Sequence, residues 1–513
     1  MKMDILAFVL YFVAMIAIGI FFFVKSKNVS EKDYFLGGRA MGPWVTAMSA
    51  QASDMSAWLL MGLPGSILAF GFGQAWIGIG LAIGTAANWI LVAKRLRKFS
   101  KASGDAITLP QYLSNRFLSK SHTLSIICAV VFLVCFTIYV ASAFVAGADV
   151  FTTLVPSLST EVAMVIFAAI VLVYTFLGGF NAVCWTDFFQ GLLMIAALLI
   201  VPIAIIFVKD LDPAAISTVY SGPNGEEFTF VANFFNASWQ DILSGLGWGL
   251  GYFGMPHIIV RFMAIEKPSM VKKSATVAII WVVLSLAATI MIGYLGRMFV
   301  YADGTDLSKT LLETGKQSLI FVELARDVFP AFIAGLLLAA IIAASMSTAD
   351  SQLLVAASSF SSDIYKPIVR KNASNKEMLW VSRIIVLVIA VVAYFIASSE
   401  GKAAQAIMNL VSNAWGIFGA AFGPAVLLSL FWKRFTYKGA VAGIVVGAVV
   451  DMLWLWLPVA DGKALTAVTG IYEIIPGFII GGIAAIVVTL LDKKPSAEVE
   501  AIYEKATDNS IDD

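Results

Sequence analysis

The sequence predicts an all-α polytopic membrane protein. Three observations carry that prediction: a scarcity of charge, a recurring length of apolar run, and a one-sided placement of basic residues. Of the 513 residues, 60% are hydrophobic and 13% are charged, about half the ~25% charged content of a soluble domain. Mean hydropathy is +0.89. This composition excludes a conventional soluble enzyme, a disordered chain and a nucleic-acid binder with a basic face. The 34 basic and 33 acidic residues nearly cancel, so no net field draws an ionic partner. Cys128, Cys135 and Cys184 lie in or beside apolar stretches without paired spacing, which argues against a disulfide framework and a CxxC metal site.

A helix needs ~20 apolar residues to cross a bilayer. Runs of that kind recur at 4–24, 43–70, 73–93, 124–148, 162–177, 188–208, 238–260, 275–300, 329–359, 379–397, 403–431, 438–457 and 471–491. None alternates with the period of a barrel strand, which leaves helices as the spanning elements. The expectation is thirteen transmembrane helices. The first run leads into Lys25 and Lys27 without a small-residue cleavage site, so it reads as a retained span and not as a secretory signal. With the N-terminus outside, 26 of the 34 basic residues fall on inside segments. The positive-inside rule therefore sets the N-terminus outside and the C-terminus in the cytoplasm. The stretch from Lys209 to Ala237, with its SGPNGEE sequence, reads as a partly ordered loop or cap. Residues 493–513 read as a cytoplasmic tail too small for a catalytic domain.

Function is expected where spans break the apolar rule, because polar groups at depth are costly. The second run contains SAQASDMSAWLLMGLPG, which places Asp54 among Ser49, Gln51, Ser53 and Ser56. Small residues there also suit close helix packing. Packing accounts less well for Asp54, which has no basic residue nearby in its span and so points to a bound cation or proton. The seventh run, SGLGWGLGYFGMPH, carries Gly245, Gly247, Gly249, Gly251 and Gly254 ahead of Pro256. Packing explains two or three of these; five suggest an unwound or closely approached backbone. The ninth run is rich in hydroxyls and holds Asp350. Many of its Ser and Thr side chains can bond back to their own helix, but Ser347 and Thr348 offer neutral oxygens suited to a hard monovalent cation. Asp187 and Asp451 read as interfacial or structural carboxylates. The second and seventh runs stand five spans apart, an odd number. A duplicated five-span unit would thus enter the membrane in opposite senses, the inverted-repeat layout of secondary transporters.

Several stretches carry a family likeness. YTFLGGFNAVCWTDFFQ at 174–190 and SLFWKRFTYKGAVAGIVVGAV at 429–449 match two signatures, the second with Arg434, Gly439, Ala440, Gly443 and Gly447 in place. LGGRAMGPWVTAMSAQASDMSAWLLMGLPG, ITLPQYLSNRF, GWGLGYFGMPHIIVRFMA and YEIIPGF add to them. From Tyr34 to Asp492 the chain resembles the sodium/solute symporter family, most closely its proline-transporting bacterial members. The resemblance implies a leucine-transporter-like core of two inverted five-helix repeats, at 40–210 and 237–432. A first helix at 1–30, two additional helices at 436–492 and the tail at 493–513 lie outside those repeats. It implies a sodium site made by the carbonyls of Ala52, Met55 and Ala344 and the hydroxyls of Ser347 and Thr348. It places Trp58, Tyr139, Trp248, Tyr252 and Pro256 at the proline pocket, and gives Asp54, Ser56 and Arg39 coupling or supporting roles. Ala57 departs from the glycine that proline members often carry, and Asp350 stands where some carry a hydroxyl residue.

The resulting expectation is a secondary transporter in the bacterial inner membrane that couples inward sodium movement to L-proline uptake by alternating access. No nucleic acid, no obligate protein partner and no enzymatic activity are expected. His122 and His257 are the only histidines, and neither has a nucleophile or metal constellation beside it. His257 reads as structural or cavity-lining. The alternatives are a symporter of the same family for another amino acid, pantothenate or a sugar, and a membrane sensor, which the short tail disfavours.

Overall fold

The computed structural model describes residues 3–25, 31–177, 179–208, 211–400 and 406–508. Gly178 of the first signature, Lys2, Lys27, Lys209 and Lys402 of the charge count, and the acidic end of the tail lie outside the described residues.

Backbone polar groups in lipid must be satisfied within the chain, and the apolar runs satisfy them as helices. In order these are α1 (Met3–Lys25), α2 (Pro43–Met55), α3 (Gly62–Phe70) and α4 (Phe72–Ala102). Next come α5 (Thr123–Leu154), α6 (Thr160–Leu177), α7 (Phe180–Val208), α8 (Trp239–Gly247), α9 (Pro256–Ala264) and α10 (Val271–Met298). The remainder are α11 (Ala331–Ser359), α12 (Asn375–Glu400), α13 (Ala406–Phe431), α14 (Tyr437–Trp456), α15 (Ile474–Leu491) and the polar α16 (Ala497–Thr507). Ten helices among the described residues are long and apolar enough to cross a membrane. The other three expected crossings differ from these: α6 is shorter, and the runs at 43–70 and 238–260 are each interrupted. Two small hairpins, Tyr220–Ser221 with Glu227–Phe228 and Pro458–Ala460 with Lys463–Ala464, are the strand pairs among the described residues. The end of the bundle bearing the first hairpin is called the hairpin end below, and the opposite end, with Arg39 and Arg97, the basic end.

α5, 32 residues long, packs against α11, α12 and α13. α14 and α15 pack on each other and on α13. α4 crosses the α8 segment through facing glycines. A Cβ on Gly80 would lie 2.2 Å from the Gly245 carbonyl oxygen, and one on Gly84 would lie 2.4 Å from that of Gly249. This is the small-xxx-small contact that lets membrane helices approach closely.

The two interruptions have different local causes. After α2 the chain turns at Ser56 with φ +48°, a conformation that costs a residue with a Cβ. The Ser56 hydroxyl accepts the Trp58 N–H at 3.1 Å, and a single 3-10 turn at Ala57–Leu59 leads on to α3. After α8 the helix tightens into a six-residue 3-10 stretch, Trp248–Phe253. It is released through extended Met255, and Pro256 restarts the helix at its first turn, where the missing N–H costs nothing. The five glycines expected to mark an unwound or closely approached backbone all meet close neighbours: Trp76, Ile475, Gly80, Trp415 and Phe418 lie within 3 Å of the Cβ each would carry. Close approach thus accounts for all five, more than the two or three assigned to packing from the sequence.

Candidate functional site

The two interruptions meet across a small cavity lined by Asp54, Met55, Trp58, Leu81, Tyr139, Trp248, Tyr252, Val411 and Trp415. Its volume is about 10 Å³, room for roughly one water molecule. Six of the expected residues are therefore brought together with Met55: Asp54, Trp58, Tyr139, Trp248 and Tyr252 line the cavity, and Ser56 caps the turn between them. Asp54 is buried, and its Oδ2 accepts the Tyr252 hydroxyl at 2.6 Å. The Tyr139 hydroxyl donates to the Asp54 carbonyl at 3.2 Å. The expected lack of a basic partner holds among the described residues, but two tyrosines do hold this residue. Its carboxylate is thus met by a single hydroxyl, that of Tyr252, while Tyr139 holds its backbone.

One wall is aromatic. Trp58 stacks on Trp248 at 5.3 Å between ring centroids, and Trp248 stacks on Tyr472 at 5.1 Å. Tyr252 meets Trp415 edge-on at 5.1 Å. The Trp415 indole N–H donates to the Trp248 carbonyl at 2.8 Å, tying α13 to the tightened turn. In α4 a π-helical turn at Asn88–Ala93 brings Asn88 Nδ2 within 3.0 Å of the Tyr252 carbonyl, to which it donates. Such bulges often sit at functional sites. On the hairpin side of the stack opens a vestibule of about 510 Å³, whose walls include Trp248, Met408, Ser412, Tyr472 and Glu473. The Trp58 indole N–H donates to Met408 Sδ, so Trp58, Trp248 and Met408 separate the vestibule from the cavity.

Behind α2, α11 presents the hydroxyl pair. The Ser347 hydroxyl donates to the Ala52 carbonyl at 2.9 Å and bonds back to the Ala344 carbonyl at 3.2 Å. Thr348 Oγ1 is buried with no hydrogen-bond partner. An orphaned buried hydroxyl is costly and offers the oxygen chemistry that a hard cation uses. These residues fit a sodium ion.

Two expected residues lie away from the cavity. Pro256 does not line it and instead opens α9. Arg39 is buried at the basic end, donating to Asp105 Oδ1 at 2.8 Å, to the Ala106 carbonyl at 2.7 Å and to the Met263 carbonyl at the end of α9. Asp187, read from the sequence as interfacial or structural, takes the structural alternative. It is fully buried, with Oδ2 accepting from Arg261 Nη2 at 2.9 Å and from the Ser49 hydroxyl at 2.7 Å. Arg261, counted as an inside loop charge from the sequence, is itself buried and also donates to Ser351 Oγ. This network joins α2, α7, α9 and α11. Desolvation offsets much of the Coulomb gain of such a buried pair. Leu81, Val411, Trp415, Met408 and Tyr472 escaped the sequence reading. Each sits in an ordinary apolar run, and no local pattern reveals that it faces a cavity.

The profile of the sodium:solute symporter family matches residues 34–447. A sodium/proline symporter of Escherichia coli (strain K12) is 42% identical over 510 residues, covering 98% of this chain and 96% of the relative. One from Haemophilus influenzae is 43% identical over 506 residues, covering 98% and 97%. A high-affinity proline transporter of Bacillus subtilis is 41% identical over 485 residues, covering 94% and 97%. Among solved structures, a sodium-coupled sialic acid symporter in a substrate-bound outward-open state superposes with TM-score 0.73 at 20% identity, covering 97% of this chain and 99% of that one. Mhp1, a nucleobase–cation-symport-1 transporter in a closed conformation, gives TM-score 0.54 at 13% identity, covering 92% and 97%. These two share the fold, a leucine-transporter-like arrangement. The chain belongs to the sodium:solute symporter family. It is a multi-pass membrane transporter, and sodium is its co-transported ion.

Proposed function

We propose, from membership of the sodium:solute symporter family, that this protein couples inward movement of sodium to uptake of L-proline across the bacterial cytoplasmic membrane. The observation that carries the reading is the near-complete match, at about 42% identity, to relatives named as sodium/proline symporters, joined to a cavity whose polar and aromatic lining suits that solute. We assign thirteen crossings, with the hairpin end outside and the basic end in the cytoplasm. In this arrangement 40–210 and 237–432 are the inverted repeats, 1–30 and 436–492 are the flanking helices, and 493–513 is a cytoplasmic tail.

In this reading sodium is held by the carbonyls of Ala52, Met55 and Ala344 and by Ser347 and Thr348. It takes up the orphaned Thr348 oxygen and bridges α2 to α11. Proline is held in the neighbouring cavity. Its ring packs on Trp58 and Trp248, its ammonium faces Asp54 and the aromatic surfaces of Tyr139 and Tyr252, and its carboxylate is taken by backbone N–H groups freed at the breaks. Pro256 sets where α9 restarts and so the shape of the second break. Proline is larger than a cavity of about 10 Å³, so admission requires Trp58, Trp248 and Met408 to part toward the vestibule. Sodium aids this because the Ala52–Met55 end of α2 and the cavity share one backbone. By linkage, proline tightens sodium binding to the same degree. Arg39, bonded to Asp105 and to the end of α9, holds the basic end shut while the vestibule is open.

Proteoliposomes loaded under sodium, lithium or proton gradients test this reading with labelled proline, using competition by other amino acids, pantothenate and sugars to define the solute. Uptake that requires an inward sodium gradient and is displaced by proline above the others is expected. Equal uptake without any gradient or potential removes symport, and displacement by another solute moves the substrate within the family.

A further inference from the structure

The carboxylates of Asp451 and Glu473 have no role in the site described above. Asp451, near the hairpin end of α14, is fully buried, and neither of its oxygens has a hydrogen-bond partner. Glu473, the residue before α15, is 3% exposed, and its Oε2 accepts the Thr466 hydroxyl at 3.3 Å. Both aim at one point on α13. A Cβ on Gly416 would lie 3.1 Å from Asp451 Oδ2 and 3.4 Å from Glu473 Oε1, so both oxygens border the space that the absent side chain leaves.

Among the described residues the surroundings supply no counter-charge. α13 has no charged or titratable residue in its 26 positions. α5 contributes the Cys135 thiol. The chain entering α15 contributes the Tyr472 hydroxyl, which donates to the Ser412 carbonyl at 2.7 Å. α8 contributes Asp241 on the vestibule wall. Two carboxylates bordering so dry a space repel, and each loses hydration. A positive charge from outside the chain resolves both costs, and the vestibule gives it a path, because Glu473 and Thr466 stand on its wall.

We propose that Asp451 and Glu473, bordering the gap at Gly416, form a second cation site that holds one positive charge, a shared proton or a sodium ion, taken from the vestibule. The site lies on α14 and at the start of α15, apart from the hydroxyl pair of α11. When filled it fastens α13, which bears Met408 and Trp415, to these flanking helices beside the Tyr472–Trp248 stack.

Infrared difference spectra of the purified full-length protein separate the two sources without relying on transport. The protein is titrated with protons in choline medium, then with sodium chloride at fixed alkaline pH. A carboxylic-acid band that grows on acidification and is lost in both Asp451→Asn and Glu473→Gln assigns the charge to a proton. A sodium-dependent shift of the carboxylate band, lost in the same variants, assigns it to sodium. Gly416→Ala changes no charge but places a methyl group in the gap, and is expected to abolish whichever signature the wild type shows. It also carries the test should an amide variant fail to elute as folded protein. Spectra of the wild type and folded variants that superimpose through both titrations overturn the proposal.

Discussion

Between Met55 and Gly62 the chain leaves its helix through a serine at φ +48°, whose own hydroxyl caps the next turn. Between Gly247 and Pro256 it passes instead through a 3-10 stretch pressed against its neighbours at every glycine. The first interruption and the helix α11 behind it hold polar groups short of partners: the Asp54 carboxylate with one hydroxyl, and Thr348 Oγ1 with none. The second contributes aromatic surface through Trp248 and Tyr252. The two breaks thus differ in chemistry: one brings a carboxylate to the cavity, and the other a closely packed aromatic wall.

The sharpest way to break that contrast is to add one methyl group to the rigid wall. A Cβ on Gly251 would sit 2.0 Å from Trp415 Nε1, and that indole cannot swing aside without losing its bond to the Trp248 carbonyl. Gly251→Ala is expected to lower stability by about 1–3 kcal/mol, the usual cost of overpacking, read as a fall in the thermal unfolding temperature of the purified protein. Ser56→Ala at the other break loses one cap, about 1 kcal/mol or less. Equal destabilisation by the two variants would mean that the second turn is no more tightly held than the first.

A smaller effect probes the first break. Thr348→Ala removes the orphaned oxygen without disturbing any hydrogen bond, so folding should be kept while the sodium concentration for half-maximal proline uptake rises about tenfold, equivalent to ~1.4 kcal/mol. Thr348→Ser restores the oxygen and should recover most of the loss. A sodium dependence identical to wild type in the alanine variant would remove Thr348 from the ion site.

The sequence displayed the polar break better than the rigid one, for a physical reason. Asp54, Ser347 and Thr348 are anomalies inside apolar runs, and in lipid such anomalies are expensive enough to be read one residue at a time. Gly251 and Trp415 are both ordinary in a membrane helix. Their meaning lies in a contact between positions 164 residues apart, which no local pattern reports. The same limit explains Asp187 and Arg261. Each was legible as a charge, one near a boundary and one in a loop, but their pairing depends on how α7 and α9 cross. The helical class was legible because its cause, apolar length, is local. The interruption of α2 was not foreseen as a turn at Ser56, since serine gives no sign of a positive φ.

The smallest expected effect concerns the place where the two interrupted crossings are fastened together. At the basic end the Met41 N–H donates to the Ala264 carbonyl at 3.3 Å, and the Glu266 N–H donates to the Met41 carbonyl at 3.1 Å. Arg39 joins the same end of α9 to Asp105, which also pairs with Lys32 and Lys101. Partial burial pushes the Asp105 carboxyl up, but the Lys32 hydrogen bond and the Arg39 and Lys101 charges outweigh it and hold the group at about 2, below the ordinary ~3.9. A carboxyl lowered in the folded state contributes stability above its unfolded pKa and loses it as pH falls toward the folded one. The stability gap between wild type and Asp105→Asn should therefore be full above about pH 4 and close as pH falls toward about 2. The gap is expected to be about 1 kcal/mol or less, since water reaches the group, and to shrink in high salt. If thermal unfolding shows the same gap throughout that range, the ion pair does not fasten the two crossings. The backbone bonds of Met41 would then hold the basic end closed by themselves.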